Sequence, residues 1–279
     1  MAERAAVIAE EIADAFAEEW RRWYREAESA LTEPYGFLAM TGLTWLGPEA
    51  VEVPGVPGRW RTDDGGVVVD LAPGESLRLG TDPGTGEEIT GRLVVPTEDG
   101  GPRVWHGRVL VEVVHRPEGV FVRPRDPDNP RRTRFAGTLS FKPDPRWRLQ
   151  GVWTPPEGDG TVSLPSALAG VTNHYGDAGT VRLDVAGRTY DLALIRPTQA
   201  QARLVFRDAT SGLTTYPSGR YVDLRLPADP AEPLVVDLNR ARNFPCSYSP
   251  APTCPAAPPQ NVLDVAVTAG ARYVRRDTP

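Results

Sequence analysis

The segments RDATSGLTTYPSGRY (207–221) and VVDLNRARNFPC (235–246) carry the densest set of residues able to do chemistry. Each begins where a strand-like run ends, so its side chains leave a rigid scaffold. Asp208 and Asp237 are carboxylates that desolvation could turn into general bases, and Tyr216 joins them as a catalytic candidate. Arg207, Arg220 and Arg240, with Thr215, Asn239 and Asn243, form a ligand-binding set of fixed donors and acceptors. Arginine forks hold a carboxylate or phosphate in bidentate fashion, so the pattern points to a small anionic organic ligand. Catalysis stays open. The same residue types also satisfy irregular backbone near a core, so an Asp–Arg network bracing a loop reads the same way in sequence.

The stretch from Asn239 to Asn261 holds both cysteines and six prolines, with no helical or strand period. Cys246 and Cys254 lie eight apart, with no CxxC and no nearby histidine, so zinc lacks ligands and neither a metal nor a cofactor is expected. Two buried thiols are the plain reading; a redox pair is the alternative. If a ligand binds, this stretch becomes one wall of its pocket, stiffened by proline. Cys246, Cys254 and Asn261 are then structural loop residues, with Asn243 and Asn261 tying the ends to the sheet. Nucleophilic hydrolysis is excluded for want of a G-x-S-x-G elbow. Of His106, His115 and His174, only His174, in the glycine-flanked GVTNHYGDAG, suits a functional loop.

These residues need a scaffold, and its elements are legible. Ile8, Ile12, Phe16, Trp20, Trp23, Tyr24, Ala27 and Leu31 form one apolar stripe at steps of three and four, which predicts a long amphipathic helix ended by Pro34 and Gly36. Glu10, Glu11, Asp14, Glu18 and three arginines occupy its other face. Short apolar runs follow, separated by Gly, Pro and Asp, with hairpin-like turns at 63–66 and 98–101. VWHGRVLVEVVH (104–115) reads as one strand, and TLSF (138–141) and VLDVAV (262–267) as two more. In TVRLDV (180–185) and RYVDLRLP (220–227) apolar and charged residues alternate, the period of an antiparallel sheet wet on one side. The expected fold is mainly β: antiparallel sandwich or barrel-like sheets preceded by the helix. Its expected parts are the helix (1–34) packed on the body, a first β unit (35–130), and a second (131–279) carrying the polar motifs.

With 40% hydrophobic and 24% charged residues, the 279-residue chain has globular composition. Net charge is −6, concentrated in the first 36 residues, and no basic stripe tracks phosphates, so nucleic acid is not an expected partner. No signal peptide and no membrane span are recognisable, and two cysteines fit a reducing compartment, so a cytoplasmic protein with no membrane partner is expected. The alternative function is a non-catalytic interaction module, using the helix or the arginines of the 123–134 block (Arg123, Arg125, Arg131, Arg132, Arg134). Oligomeric state is not legible.

The motifs D-A-T-S-G-x-x-T-Y-x-x-G-R-Y (208–221), D-L-N-R-A (237–241) and N-F-P-C-S-Y-x-P-x-x-T-C-P-x-x-P-P-x-N (243–261) resemble a family of uncharacterised bacterial and archaeal proteins, domain of unknown function 1684. The segment from Gly42 to Leu46, the R-D-P-D-x-P block and the P-D-P-x-W block (Pro143 to Trp147) look like the same family. The resemblance implies no activity. It does mark Asp208, Thr215, Tyr216, Arg220, Asp237, Asn239, Arg240, Asn243, Cys246, Cys254 and Asn261 as matching the family pattern. Arg242 stands where the pattern has an aromatic, a departure expected to alter ligand preference.

Overall fold

The computed structural model describes residues 2–64, 66–95, 103–199 and 201–273, with side chains from Asp14 onward. The side chains of Ile8, Glu10, Glu11 and Ile12 and the turn at 98–101 lie outside the described residues. The fold is mainly β, with antiparallel sheets and one long N-terminal helix, Ala2–Leu31. The chain divides into two compact units. One comprises residues 1–28, 137–247 and 253–279, and the other residues 29–136 and 248–252.

The smaller unit holds a six-stranded and a four-stranded sheet. Val56, Trp60, Val67, Val69, Leu77 and Val122 meet in one core cluster. Buried tryptophan must satisfy its N–H, and Trp60 and Trp105 donate theirs to the carbonyls of Pro57 and Gly80. The run 104–115 is two strands, Arg103–His106 and Val109–Arg116, rather than one. They fold back at Gly107, whose φ of +55° admits glycine without strain. The arginine block is largely engaged internally. Arg123 and Arg125 pair with Glu112, and Arg132 donates to the carbonyls of Thr32, Glu33 and Pro127. Arg131 and Arg134 remain exposed.

The larger unit is built on an eight-stranded antiparallel sheet. Its order is Leu234–Asp237, Arg148–Thr154, Thr172–Val185, Arg188–Thr198, Gln201–Phe206, Arg220–Leu224 and Arg242–Asn243, with Thr161–Pro165 pairing off the side of Thr172–Val185. Val181, Leu183 and Val185 point inward while Arg182 and Asp184 are exposed, as the alternation predicts. Farther along, both faces are buried. Leu194, Leu204 and Val222 belong to the main core, whereas their chain neighbours Ile195, Val205 and Tyr221 pack with Phe244 and Cys254 on the opposite face. One wet side therefore holds only for part of the sheet. His174 lies within a strand, not a loop, and its Nδ1 is 2.9 Å from the Ser163 hydroxyl opposite it.

Two expected strands do not form. TLSF contributes only an isolated bridge from Ser140 to Ala271, and residues 262–267 only one from Val262 to Arg207, with no ladder. Their periodicity reflects burial of Leu263 and Val267. Their backbone groups are satisfied another way, described below. The helix packs its aromatic stripe on this unit: Trp20 Nε1 donates to the Asn239 carbonyl (2.9 Å) and the Tyr24 hydroxyl to the Thr138 carbonyl (2.5 Å).

Candidate functional site

Strand Gln201–Phe206 ends at Arg207, and the chain turns so that Asp208 is buried. One Asp208 oxygen accepts from the Thr210 amide (2.8 Å), the Thr210 hydroxyl (2.6 Å) and the Val267 amide (3.2 Å). The other accepts from Arg220 at 2.8 Å. Thr215 is buried, its hydroxyl 2.9 Å from that of Thr210.

Arg220 is 0% exposed. One terminal nitrogen donates to the carbonyls of Ala269 and Ala271, and the other to Asp208 and the Val267 carbonyl. Burial pulls its pKa below the ordinary arginine value, against the attraction of Asp208. The ion pair thus supplies donors to the carbonyls of Val267, Ala269 and Ala271, while the backbone of Arg207, Ala209, Leu139, Phe141 and Ala241 bonds other groups of residues 263–272. The four terminal N–H groups of Arg220 are engaged within the protein while its Nε–H has no partner, and both Asp208 oxygens accept from protein donors.

A second cluster forms where strand Leu234–Asp237 runs into a 3₁₀ turn, Leu238–Arg240. Asp237 caps that turn by accepting from the Asn239 amide at 3.1 Å and its side-chain amide at 2.9 Å. Asn239, 1% exposed, exchanges hydrogen bonds with both backbone groups of Asp144. Arg240 pairs with Asp237 and Glu19, and its guanidinium lies 5.7 Å from the Trp23 ring centroid. Hydrogen bonding from Arg148 holds the Glu19 carboxyl below its ordinary range. Asp237, Asn239 and Arg240 therefore fasten the helix to the sheet. Asn261 is another fastener: fully buried, it bonds both backbone groups of Ala193 and the Val205 carbonyl.

A third cluster is less completely satisfied. The Tyr216 hydroxyl donates to the Cys246 carbonyl (3.0 Å), and the Tyr216 and Tyr273 rings meet edge to face at 5.0 Å. Burial raises the Tyr216 pKa, so the phenol stays protonated at neutral pH. The Cys246 amide donates to the Cys254 sulfur at 3.3 Å. Asn243 gives its side-chain N–H to the Arg272 carbonyl at 2.9 Å. Asn243 Oδ1, Ser247 Oγ and Arg272 Nε are buried without a hydrogen-bond partner. Arg242, the residue that departs from the family pattern, lies over the Tyr221 ring at 5.7 Å.

The candidates thus divide into Asp208, Thr215 and Arg220; Asp237, Asn239 and Arg240; and Tyr216, Asn243, Cys246 and Cys254, with Asn261 at its own fastening point. Arg207 has an exposed side chain, while its backbone pairs with Asn261 and Leu263. Ser247, Arg272 and Tyr273 were not among the residues expected from sequence, because the contacts that bury the polar atoms of Ser247 and Arg272 and set the Tyr273 ring against Tyr216 are made across the chain and leave no mark in local spacing. Among the described residues no three His, Cys, Asp or Glu side chains gather as a metal site requires, and no helix is long and apolar enough to cross a membrane.

The sequence profile of DUF1684, a protein family of unknown function, matches residues 133–272, which contain Asp208, Tyr216, Arg220, Asp237, Arg240, Asn261 and the other residues singled out between 207 and 261. An uncharacterized protein of Haloarcula marismortui, solved in solution by NMR, is 33% identical over 50% of this chain and 78% of its own, with a TM-score of 0.43. No curated protein matches. With half of its length matched by the family profile, the chain belongs to DUF1684.

Proposed function

We propose that the chain binds a small anionic organic ligand beside Tyr216, Asn243, Ser247, Arg272 and Tyr273. The observation that carries this reading is the set of buried, unpartnered atoms Asn243 Oδ1, Ser247 Oγ and Arg272 Nε. Buried polar atoms are nearly always hydrogen-bonded, and leaving one unpaired costs about 1–3 kcal/mol. A guanidinium N–H calls for an anionic acceptor and an amide oxygen for a donor, so a carboxylate bearing a hydroxyl or amide satisfies both. Tyr216, kept protonated by burial, serves as a donor rather than a base. The Asp208–Arg220 pair and the Asp237 cap brace this region without touching ligand. The low cysteine count favours a cytoplasmic setting.

The test is thermal unfolding against organic acids, phosphate esters, nucleotides and flavins, since a ligand that binds only the folded state raises the midpoint. A hydroxy acid or amide-bearing acid is expected to raise it in the wild type and not in Arg272→Met, which keeps the aliphatic stem. No shift across the panel, or a shift unchanged in Arg272→Met, overturns the reading.

A further inference from the structure

We propose that Cys246 and Cys254 are a redox dithiol that a hydroperoxide oxidises to an intramolecular disulfide, with Cys246 as the attacking thiol. Neither cysteine is in a disulfide, and the Cys254 sulfur already accepts the Cys246 amide at 3.3 Å. Each is anchored by its carbonyl: that of Cys246 accepts from Tyr216 and that of Cys254 from the Ala167 amide. Pro245, Pro250, Pro252 and Pro255 stiffen the chain around and between them, which limits the entropy lost on closing the bond. Exposure assigns the roles. Cys246 is half-buried, whereas Cys254 is 6% exposed and belongs to the core cluster of Tyr221 and Phe244 against which Cys246 packs. A hydrogen bond from the Cys254 thiol lowers the Cys246 pKa despite burial, which favours the nucleophilic thiolate there.

The chemistry balances without another component. The Cys246 thiol gives its proton to solvent, and the thiolate attacks a peroxide oxygen, breaking the O–O bond. With hydrogen peroxide as the hydroperoxide, Cys246 becomes a sulfenic acid, and the departing hydroxide takes up a proton to leave as water. The Cys254 thiol then attacks the sulfenic sulfur, the S–S bond forms, and a second water departs. Two electrons pass from the thiols to the peroxide. This inference stands independently of the ligand proposed above.

The reduced full chain is treated with hydrogen peroxide, alkylated under denaturing conditions and weighed intact. The expected product is lighter by two hydrogens, takes no alkyl groups, and regains both sites after dithiothreitol. In the native reduced protein, Cys246 is expected to alkylate at least about tenfold faster than Cys254. Cys254→Ser should trap a sulfenic acid at Cys246 that dimedone captures, and Cys246→Ser should give neither adduct nor disulfide. The proposal is overturned by two unoxidised thiols after excess peroxide, by a bond joining two chains, or by dimedone capture at Cys254 alone.

Discussion

Replacing Arg220 with methionine removes a guanidinium that is 0% exposed and leaves the Asp208 carboxylate, 1% exposed, without its counter-ion. Breaking a buried pair from one side costs about 3–5 kcal/mol, because the remaining charge stays desolvated. The carbonyls of Val267, Ala269 and Ala271 also lose their donor, which pushes the figure toward the upper end. Set against a typical stability of about 5–15 kcal/mol, this is a large fraction of the whole. At roughly 2–4 °C per kcal/mol for a body of this size, the midpoint should fall by about 6–20 °C.

Urea titration followed by tryptophan fluorescence reads the loss directly. Asp208→Asn is a milder partner variant that keeps an acceptor for the Thr210 and Val267 amides, so a measurable fold survives if Arg220→Met does not express. The double variant should lose less than the two single losses added together, since removing both charges abolishes the orphan. If Arg220→Met costs under about 1 kcal/mol and the two changes add, the pair does not hold residues 265–271 in place. A ligand-binding Arg220 would show that pattern, with normal stability and lost affinity.

Glu112 supplies a pH-dependent counterpart in the smaller unit. Burial would raise its carboxyl, but Arg123 and Arg125 outweigh burial and hold it below the ordinary 4.5. A depressed folded value means the contribution is complete above the unfolded pKa and disappears as pH falls through the folded one. Glu112→Gln is expected to cost about 1–2 kcal/mol at neutral pH, with the gap from wild type closing in acid; a gap unchanged down to about pH 3 contradicts this. Asn261→Ala removes three bonds to the backbone of Ala193 and Val205 and should cost about 3 kcal/mol by chemical denaturation. A loss under about 0.5 kcal/mol would mean water replaces the amide there.

Local chemistry wrote much of the fold into the chain. The three- and four-step stripe through Trp20, Trp23 and Tyr24 specifies the helix, and the alternation in Val181–Val185 specifies which face of that strand is buried, because both periods follow from backbone geometry alone. The family motifs likewise mark Asp208, Arg220, Asn239 and Asn261 as a set without saying what they touch. Tertiary structure decided that. Asp208 and Arg220 are twelve residues apart, yet their partners include the backbone groups of Val267, Ala269 and Ala271, so a fork expected from sequence to face a ligand bonds the chain's own carbonyls. Residues 262–267 have strand composition but no strand, since pairing depends on which neighbour the fold brings alongside. The unpartnered atoms of Asn243, Ser247 and Arg272 are invisible in sequence for the same reason: whether a polar atom is satisfied depends on contacts made across the chain, and these exist only once the sheet has closed around them.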